Sequence, residues 1–229
     1  MKRGKLIVIE GIDSSGKTTH LNLLKDFFKK ESIPFKTIDF PRYESFFGAM
    51  IARFLRGEFG PLDQVNPYII SVIYALDRKD AKEEIEKWLE EGFVVISNRY
   101  ATSNMAHQAG RLSQDKRSDY VKWDEELEYK INNIPREDIV IFLDMPVKES
   151  KKLMKNKNRV QVYRQGKKKD MVEKDETYLK NSEQTYRWLS QQFEHWVKVE
   201  CVDATGKLFS KHEIHEEIKK ILAKKGMIS

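Results

Sequence analysis

Gly11-Ile12-Asp13-Ser14-Ser15-Gly16-Lys17-Thr18 fills every position of the spacing G-x-x-x-x-G-K-[ST]. The apolar run Leu6-Ile7-Val8-Ile9 precedes it, and TTHLNLLKDFFKK (residues 18–30) follows with Leu21, Leu24, Phe27 and Phe28 on one helical stripe. A strand, a glycine-bounded turn and a helix in that order are the context in which this spacing cradles phosphate. Glycines at both ends let the loop turn its N–H groups inward around phosphate oxygens. The helix adds the partial positive charge of its N-terminus. Lys17 is then in reach of the β- and γ-phosphates, and the Thr18 hydroxyl faces a magnesium ion. The stretch predicts nucleoside triphosphate binding by Gly11, Ile12, Asp13, Ser14, Ser15, Gly16, Lys17, Thr18 and Thr19, with Thr18 as the metal ligand.

Outward from this loop, apolar runs recur at 5–10, 35–40, 93–97, 139–144 and 197–203. Most are near-continuous rather than alternating, the pattern of parallel strands buried on both faces. Helical patterns fill the gaps: 18–30, which Pro34 stops from continuing, one long helix over 66–91, another over 172–196, and Ile214, Ile218, Ile221 and Leu222 near the C-terminus. The expectation is an α/β P-loop NTPase fold, a five-stranded parallel sheet with helices on both faces. No repeat, low-complexity tract or Pro/Ser-rich linker interrupts the chain, so residues 1–229 read as a single domain. Two stretches stand outside the alternation: 111–135, read as a helical insertion, and the basic stretch 155–174.

Composition narrows the setting. A chain of 229 residues, 40% hydrophobic and 34% charged, buries a core without disulfide or metal staples. Cys201 is the one cysteine, which rules out a disulfide within the chain and favours a reducing, cytoplasmic setting. The N-terminal apolar run is too short for a signal peptide, and YIISVIYAL (68–76) is about half a membrane span, so no membrane partner is expected. The net charge is +6, yet residues 148–174 hold 11 basic and 3 acidic residues, a local +8 against −2 elsewhere. One segment therefore meets anions, whereas a chain coated for nucleic acid would be basic throughout. Aromatics scarcely interleave with those lysines, Tyr163 excepted, so no nucleic-acid partner is expected either.

A phosphate loop alone suits a switch GTPase, a motor-type ATPase or a small-molecule kinase. After Thr19 there is no N-K-x-D and no D-x-x-G switch pattern; arginines and aromatics suited to a second phosphorylated ligand appear instead. IEGIDSSGKTT (9–19), FPRY (40–43), VNPYIISVIYALDR (65–78), SNRYATSNMAHQAGR (97–111), FLDMP (142–146), KKDMVEKDETYL (168–179) and VDAT (202–205) follow one another along nearly the whole chain. In that order they resemble the thymidylate kinase family of P-loop nucleoside monophosphate kinases. The resemblance implies transfer of the ATP γ-phosphoryl group to dTMP, giving dTDP and ADP, with Mg2+ as cofactor and a homodimer as the assembly. Kinases for other pyrimidine nucleotides, or a catalytically weakened nucleotide-binding relative, are the alternatives.

Carried over position by position, the family implies that the Phe40-Pro41-Arg42 turn sits beside the monophosphate, with Arg42 reaching it. Tyr74 matches the aromatic that stacks on thymine, and Arg78, four residues on and hence on the same helical face, the arginine near the base. Arg99 is expected to clamp the dTMP phosphate, Asn104, His107 and Gln108 to line base and sugar, and Asp13 to face the acceptor. Catalysis would then fall to Lys17, Arg99, Asp13 and a lid arginine. Because Ser14 stands at the loop position where some members carry the catalytic arginine, the lid over 155–174 must supply it. Arg164 is favoured, with Arg159, Lys168 and Lys169 in support and Asp170 and Glu173 as lid acids. The chain departs from the usual family triplet Asp-Arg-Tyr with Asn98-Arg99-Tyr100, which removes a carboxylate beside the magnesium. Phe27, Phe46, Met50 and Phe54 are candidates for an apolar dimer face or for core.

Overall fold

In the computed structural model, which describes residues 3–155 and 170–228, five strands form one all-parallel sheet of order β2-β3-β1-β4-β5. These are β1 (Leu6–Glu10), β2 (Phe35–Asp39), β3 (Val94–Asn98), β4 (Ile139–Asp144) and β5 (Trp196–Glu200). β1 and β4 are buried at every position, which is why their sequences read as unbroken apolar runs. Alternate residues serve two cores. Leu6, Val8, Val95, Val140 and Phe142 pack under α2 (Phe46–Leu55), α3 (Pro67–Asp80), α4 (Lys82–Glu90), α5 (Ala101–Ala109), α6 (Gln114–Glu125) and α9 (Glu176–Gln192). Ile7, Ile9, Ile96, Ile141 and Leu143 pack under α1 (Lys17–Lys30) and α10 (Lys211–Lys224). Two shorter helices, α7 (Val147–Lys155) and α8 (Met171–Lys174), border the stretch that lies outside the described residues.

The helix expected over 66–91 is two helices, broken at Ala81. The cause is chemical: Arg42 donates through Nη2 to the Asp77 carbonyl at 2.9 Å, the acceptor that Ala81 would use in a continuous helix. Ala81 N–H turns to the Arg78 carbonyl at 3.1 Å, and a new helix starts at Lys82. The helix expected over 172–196 is also divided. Asp175 adopts an extended conformation and accepts from Tyr178 N–H, capping α9, which ends where Phe193 becomes extended. Residues 114–131 are helical, the last turn π-helical, with Asn132 N–H bonded to the Leu127 carbonyl at 2.9 Å.

Of the four apolar candidates, Phe54 belongs to the core, Phe27 and Met50 are half-buried and Phe46 is 76% exposed. Gly48, in the first turn of α2, is there for close approach. A Cβ at this position would lie 1.7 Å from the Arg42 carbonyl oxygen, so the helix could not seat on the 40–43 turn. Gly48→Ala should lower folding stability by about 1–3 kcal/mol in urea unfolding, and an unchanged midpoint would contradict this packing.

α1 and α10 meet through two buried histidines, His20 and His215. Burial, and then His215, push His20 from 6.5 down to about 4, so the folded chain keeps it neutral where the unfolded chain protonates it. In that window the unfolded state binds more protons, and stability therefore falls as pH drops from 6.5 toward 4. Urea midpoints measured across this range should fall with acidification, and His20→Gln should flatten the slope; equal slopes would refute the assignment.

Candidate active site

The loop after β1 takes its shape from three left-handed residues, Gly11 (φ 143°), Ser14 (φ 58°) and Gly16 (φ 103°). At Gly11 a side chain is excluded by contact as well as by conformation: its Cβ would lie 2.7 Å from Ser15 Oγ and 2.8 Å from the Leu143 carbonyl. Lys17 folds back over the loop and donates through Nζ to the carbonyls of Gly11 (2.9 Å) and Ile12 (2.8 Å). Ser15 Oγ is buried and has no hydrogen-bond partner among the described residues, an uncompensated polar group inside the cradle. Thr18 is half-buried in the first turn of α1. A backbone-lined cradle, an ammonium at its edge, an unsatisfied hydroxyl and a first-turn threonine are a donor set that fits a magnesium-bound polyphosphate.

Arg99 follows β3 in a left-handed conformation, φ 67°, which costs a non-glycine residue about 1–3 kcal/mol. Its surroundings over-determine that conformation. Nη2 donates to Asp13 Oδ1 at 2.6 Å, and Nη1 donates to His107 Nε2 at 2.9 Å and to the Gly11 carbonyl at 3.2 Å. Behind it lies Glu10, fully buried, with Oε2 3.9 Å from Nη1. Glu10 accepts from Tyr100 N–H (3.0 Å), Thr102 Oγ1 (2.8 Å), Ser103 Oγ (2.9 Å) and the Tyr186 hydroxyl (2.7 Å). Burial raises the Asp13 carboxyl, but Arg99 and then Lys17 outweigh it and hold the group at about 2. Asp13 is therefore anionic at neutral pH.

His107 is pushed down to about 3, by burial first and by Arg99 second. Because Nε2 accepts from Arg99, the ring proton sits on Nδ1, which donates to Ser182 Oγ at 3.2 Å. The ring stacks on Tyr178 at a centroid distance of 5.7 Å and meets Tyr186 edge-on at 5.4 Å. Tyr74 is half-buried within electrostatic reach of Tyr43, Tyr178, Asp170 and Arg99, and burial holds its hydroxyl protonated.

Phe40 is buried against Tyr100, and the Phe40–Pro41 bond is cis. Arg42 is fastened to α3: N–H donates to Asp77 Oδ2 at 2.8 Å, Nε to Asp77 Oδ1 at 3.2 Å, and Nη2 also pairs with Asp80. Arg78 lies apart from the Arg99 cluster. It is 1% exposed and forms a forked ion pair with Glu128 of the π-helical turn. Asn104 joins the same network, its Nδ2 donating to the Ser71 carbonyl (3.2 Å), Asp124 Oδ1 (3.4 Å) and Glu128 Oε1 (3.4 Å). Burial, and then Glu128, push the Asp124 carboxyl well above the usual range. Gln108 Oε1 accepts from Arg111 Nη1 at 2.7 Å.

Asn98, the last residue of β3, donates through Nδ2 to Asp39 Oδ1 at 2.6 Å. Of the lid residues, Asp170 and Glu173 form the capping box of α8, while Arg159, Arg164, Lys168 and Lys169 lie outside the described residues. Glu10, Ser103, Tyr178, Tyr186 and Arg111 take part in the site but were not singled out from sequence. Only Glu10 left a signal, a carboxyl group ending an otherwise apolar strand, LIVIE.

The sequence model of the thymidylate kinase family matches residues 9–218. The chain is 28% identical over 223 residues to thymidylate kinase of Plasmodium falciparum, covering 97% of this chain and 91% of that protein. It is 30% identical over 230 residues to thymidylate kinase of Prochlorococcus marinus, covering 97% of this chain and all of that one, 100%. Among solved structures, thymidylate kinase from Candida albicans superposes with a TM-score of 0.76 at 18% identity, covering 98% of this chain and 93% of that chain, a likeness of fold. A phosphate loop continuous with a buried arginine–carboxylate cluster, on a parallel sheet of this order and within a family match over most of its length, leaves one assignment: the chain belongs to the thymidylate kinase family.

Proposed function

We propose that the chain transfers the γ-phosphoryl group of ATP to dTMP, giving dTDP and ADP. The observation that carries this reading is the direct contact of Arg99 with Asp13 and with the Gly11 carbonyl, which joins an acceptor-side arginine to the donor loop in one rigid unit. An acceptor phosphate is already anionic, so no general base is required; positioning and charge neutralisation carry the rate. Lys17 and the loop N–H groups hold the donor, Arg99 and Arg42 hold the acceptor phosphate, and anionic Asp13 keeps Arg99 directed between them. Thr18 is the residue that holds Mg2+. When bound there, the ion would supply positive charge to neutralise what develops on the transferring phosphoryl group. Arg164, with Arg159, Lys168 and Lys169, supplies the remaining positive charge from the lid over 155–174, and Asp170 and Glu173 anchor its end.

On the acceptor side Tyr74 stacks on the base, with Asn104, His107 and Gln108 along its edge and sugar. Arg78 supports that pocket at one remove, through Glu128, to which Asn104 also donates. Residues 1–229 act as one kinase domain with the insertion over 111–135. A homodimer in the cytoplasm is part of this reading; exposed Phe46 on α2 and Ile69 on α3 support the former. Among the described residues no helix is long and apolar enough to cross a membrane.

An ADP-release assay with ATP, Mg2+ and a panel of dTMP, dUMP, dCMP, dGMP and UMP tests the acceptor. We expect dTMP to give the highest kcat/KM, with dUMP about 10–200-fold lower for want of one methyl group. Turnover with a purine acceptor above that with dTMP would sink the assignment. For the clamp, Arg99→Lys keeps the charge but removes the forked donor geometry. It should lower kcat/KM for dTMP by about a hundredfold or more. ATP affinity in the absence of acceptor should change little; loss of both together would mean that Arg99 only maintains the fold of the loop.

A further inference from the structure

We propose that Asp39 supplies the carboxylate charge for the magnesium ion, in place of the acid that the chain lacks at Asn98. The inference deepens the reading above and rests on a magnesium–ATP complex occupying the phosphate loop. Phosphate-loop enzymes hold their metal with the loop hydroxyl and one strand-end aspartate. Here Asn98 is neutral and cannot hold a cation's charge.

The sheet puts the missing charge one strand away. Asp39 and Asn98 are paired in register at the ends of β2 and β3, and Asn98 is in turn paired with Ile9 of β1, two residues before the loop opens at Gly11. Asn98 Nδ2 donates to Asp39 Oδ1 at 2.6 Å. A carboxylate only accepts, so this bond fixes the amide: its nitrogen faces Asp39 and its oxygen is turned away. That oxygen, Asn98 Oδ1, is buried and has no hydrogen-bond partner among the described residues. An unmet buried acceptor costs about 1–3 kcal/mol, so the position calls for a donor. Asp39 itself is exposed, and no lysine, arginine or histidine among the described residues pairs with it. The two side chains together carry one negative charge and one unmet acceptor, side by side at the end of the sheet where the phosphates bind.

Adjacent strands lie about 4.8 Å apart, so Asp39 is one strand farther from the loop than an acid at position 98 would be. Magnesium keeps several of its waters. The geometry therefore points to an outer-sphere role: Asn98 Oδ1 and the Asp39 carboxylate would accept from water on the ion, and Thr18 would be the residue that holds it. The alternative is that the pair merely fastens two strand ends together.

Calorimetric titration of ATP without acceptor, once with EDTA and once with excess Mg2+, separates these. The metal-free affinity tests the nucleotide site by itself; if the unaltered protein binds ATP under neither condition, the kinase reading fails before this one is reached. The ratio of the two affinities reports the metal. Asp39→Asn should reduce that ratio by about tenfold with metal-free affinity unchanged. The reciprocal exchange, Asp39→Asn with Asn98→Asp, keeps the hydrogen bond and returns the carboxylate to β3, and should restore the ratio to the native value or above. A folded Asp39→Asn protein with an unaltered ratio overturns the proposal, as does an exchange protein that binds ATP but does not recover the metal effect. If Asp39→Asn does not fold, Asp39→Ser takes its place: a ratio about tenfold lower supports Asp39, and an unaltered ratio refutes it.

Discussion

The guanidinium of Arg99 is the constraint on which the rest of the site depends. It is held in a backbone conformation that non-glycine residues avoid, between one buried carboxyl group behind it and one partly exposed carboxylate in front. Removing an arginine from water is unfavourable, and the folded chain offsets this with charge and with hydrogen bonds from Nη1 and Nη2. The same contacts connect the end of β3, which Arg99 follows, with β1, α5 and α9, to which Glu10, Ser103, His107 and Tyr186 belong. The geometry of the candidate site and the packing of these elements are thus one network.

The described site is electrostatically settled before any nucleotide arrives. Asp13 stays ionised because two cations outweigh its burial, and His107 stays neutral because burial and Arg99 both act against its protonation. With its tautomer dictated by Arg99, His107 is a fixed donor to Ser182 and takes no part in proton traffic near pH 7. Preorganised dipoles and charges of this kind need no rearrangement when charge develops during transfer.

Much of this was legible in the sequence. The loop spacing named the phosphate cradle, and the unbroken apolar runs named a parallel sheet, because burial on both faces removes any alternation. Phe40, Arg42, Tyr74, Arg99, Asn104 and His107 were proposed as site residues through resemblance rather than pattern. What stayed hidden had a common cause: contacts between residues far apart in the chain. The break at Ala81 depends on Arg42, 35 residues upstream of the carbonyl it takes, and helical periodicity carries no trace of it. Arg78 was singled out by resemblance, and its ion pair with Glu128, in a π-helical turn 50 residues later, left no local trace. The pairing of Asp39 with Asn98 needed the strand register, which no local signal supplies.

In the acceptor-holding role proposed for Arg42, its fastening to α3 bears on how tightly a phosphate can be held. A free arginine loses about 2 kcal/mol of rotameric freedom when it is fixed against a ligand. In this chain that loss is incurred during folding, because Asp77 and Asp80 already immobilise the side chain. The helix break is what makes this possible: the Asp77 carbonyl gives up its place in a continuous helix and becomes an anchor for the guanidinium. An interruption in α-helical regularity thereby becomes stored order in the Arg42 side chain.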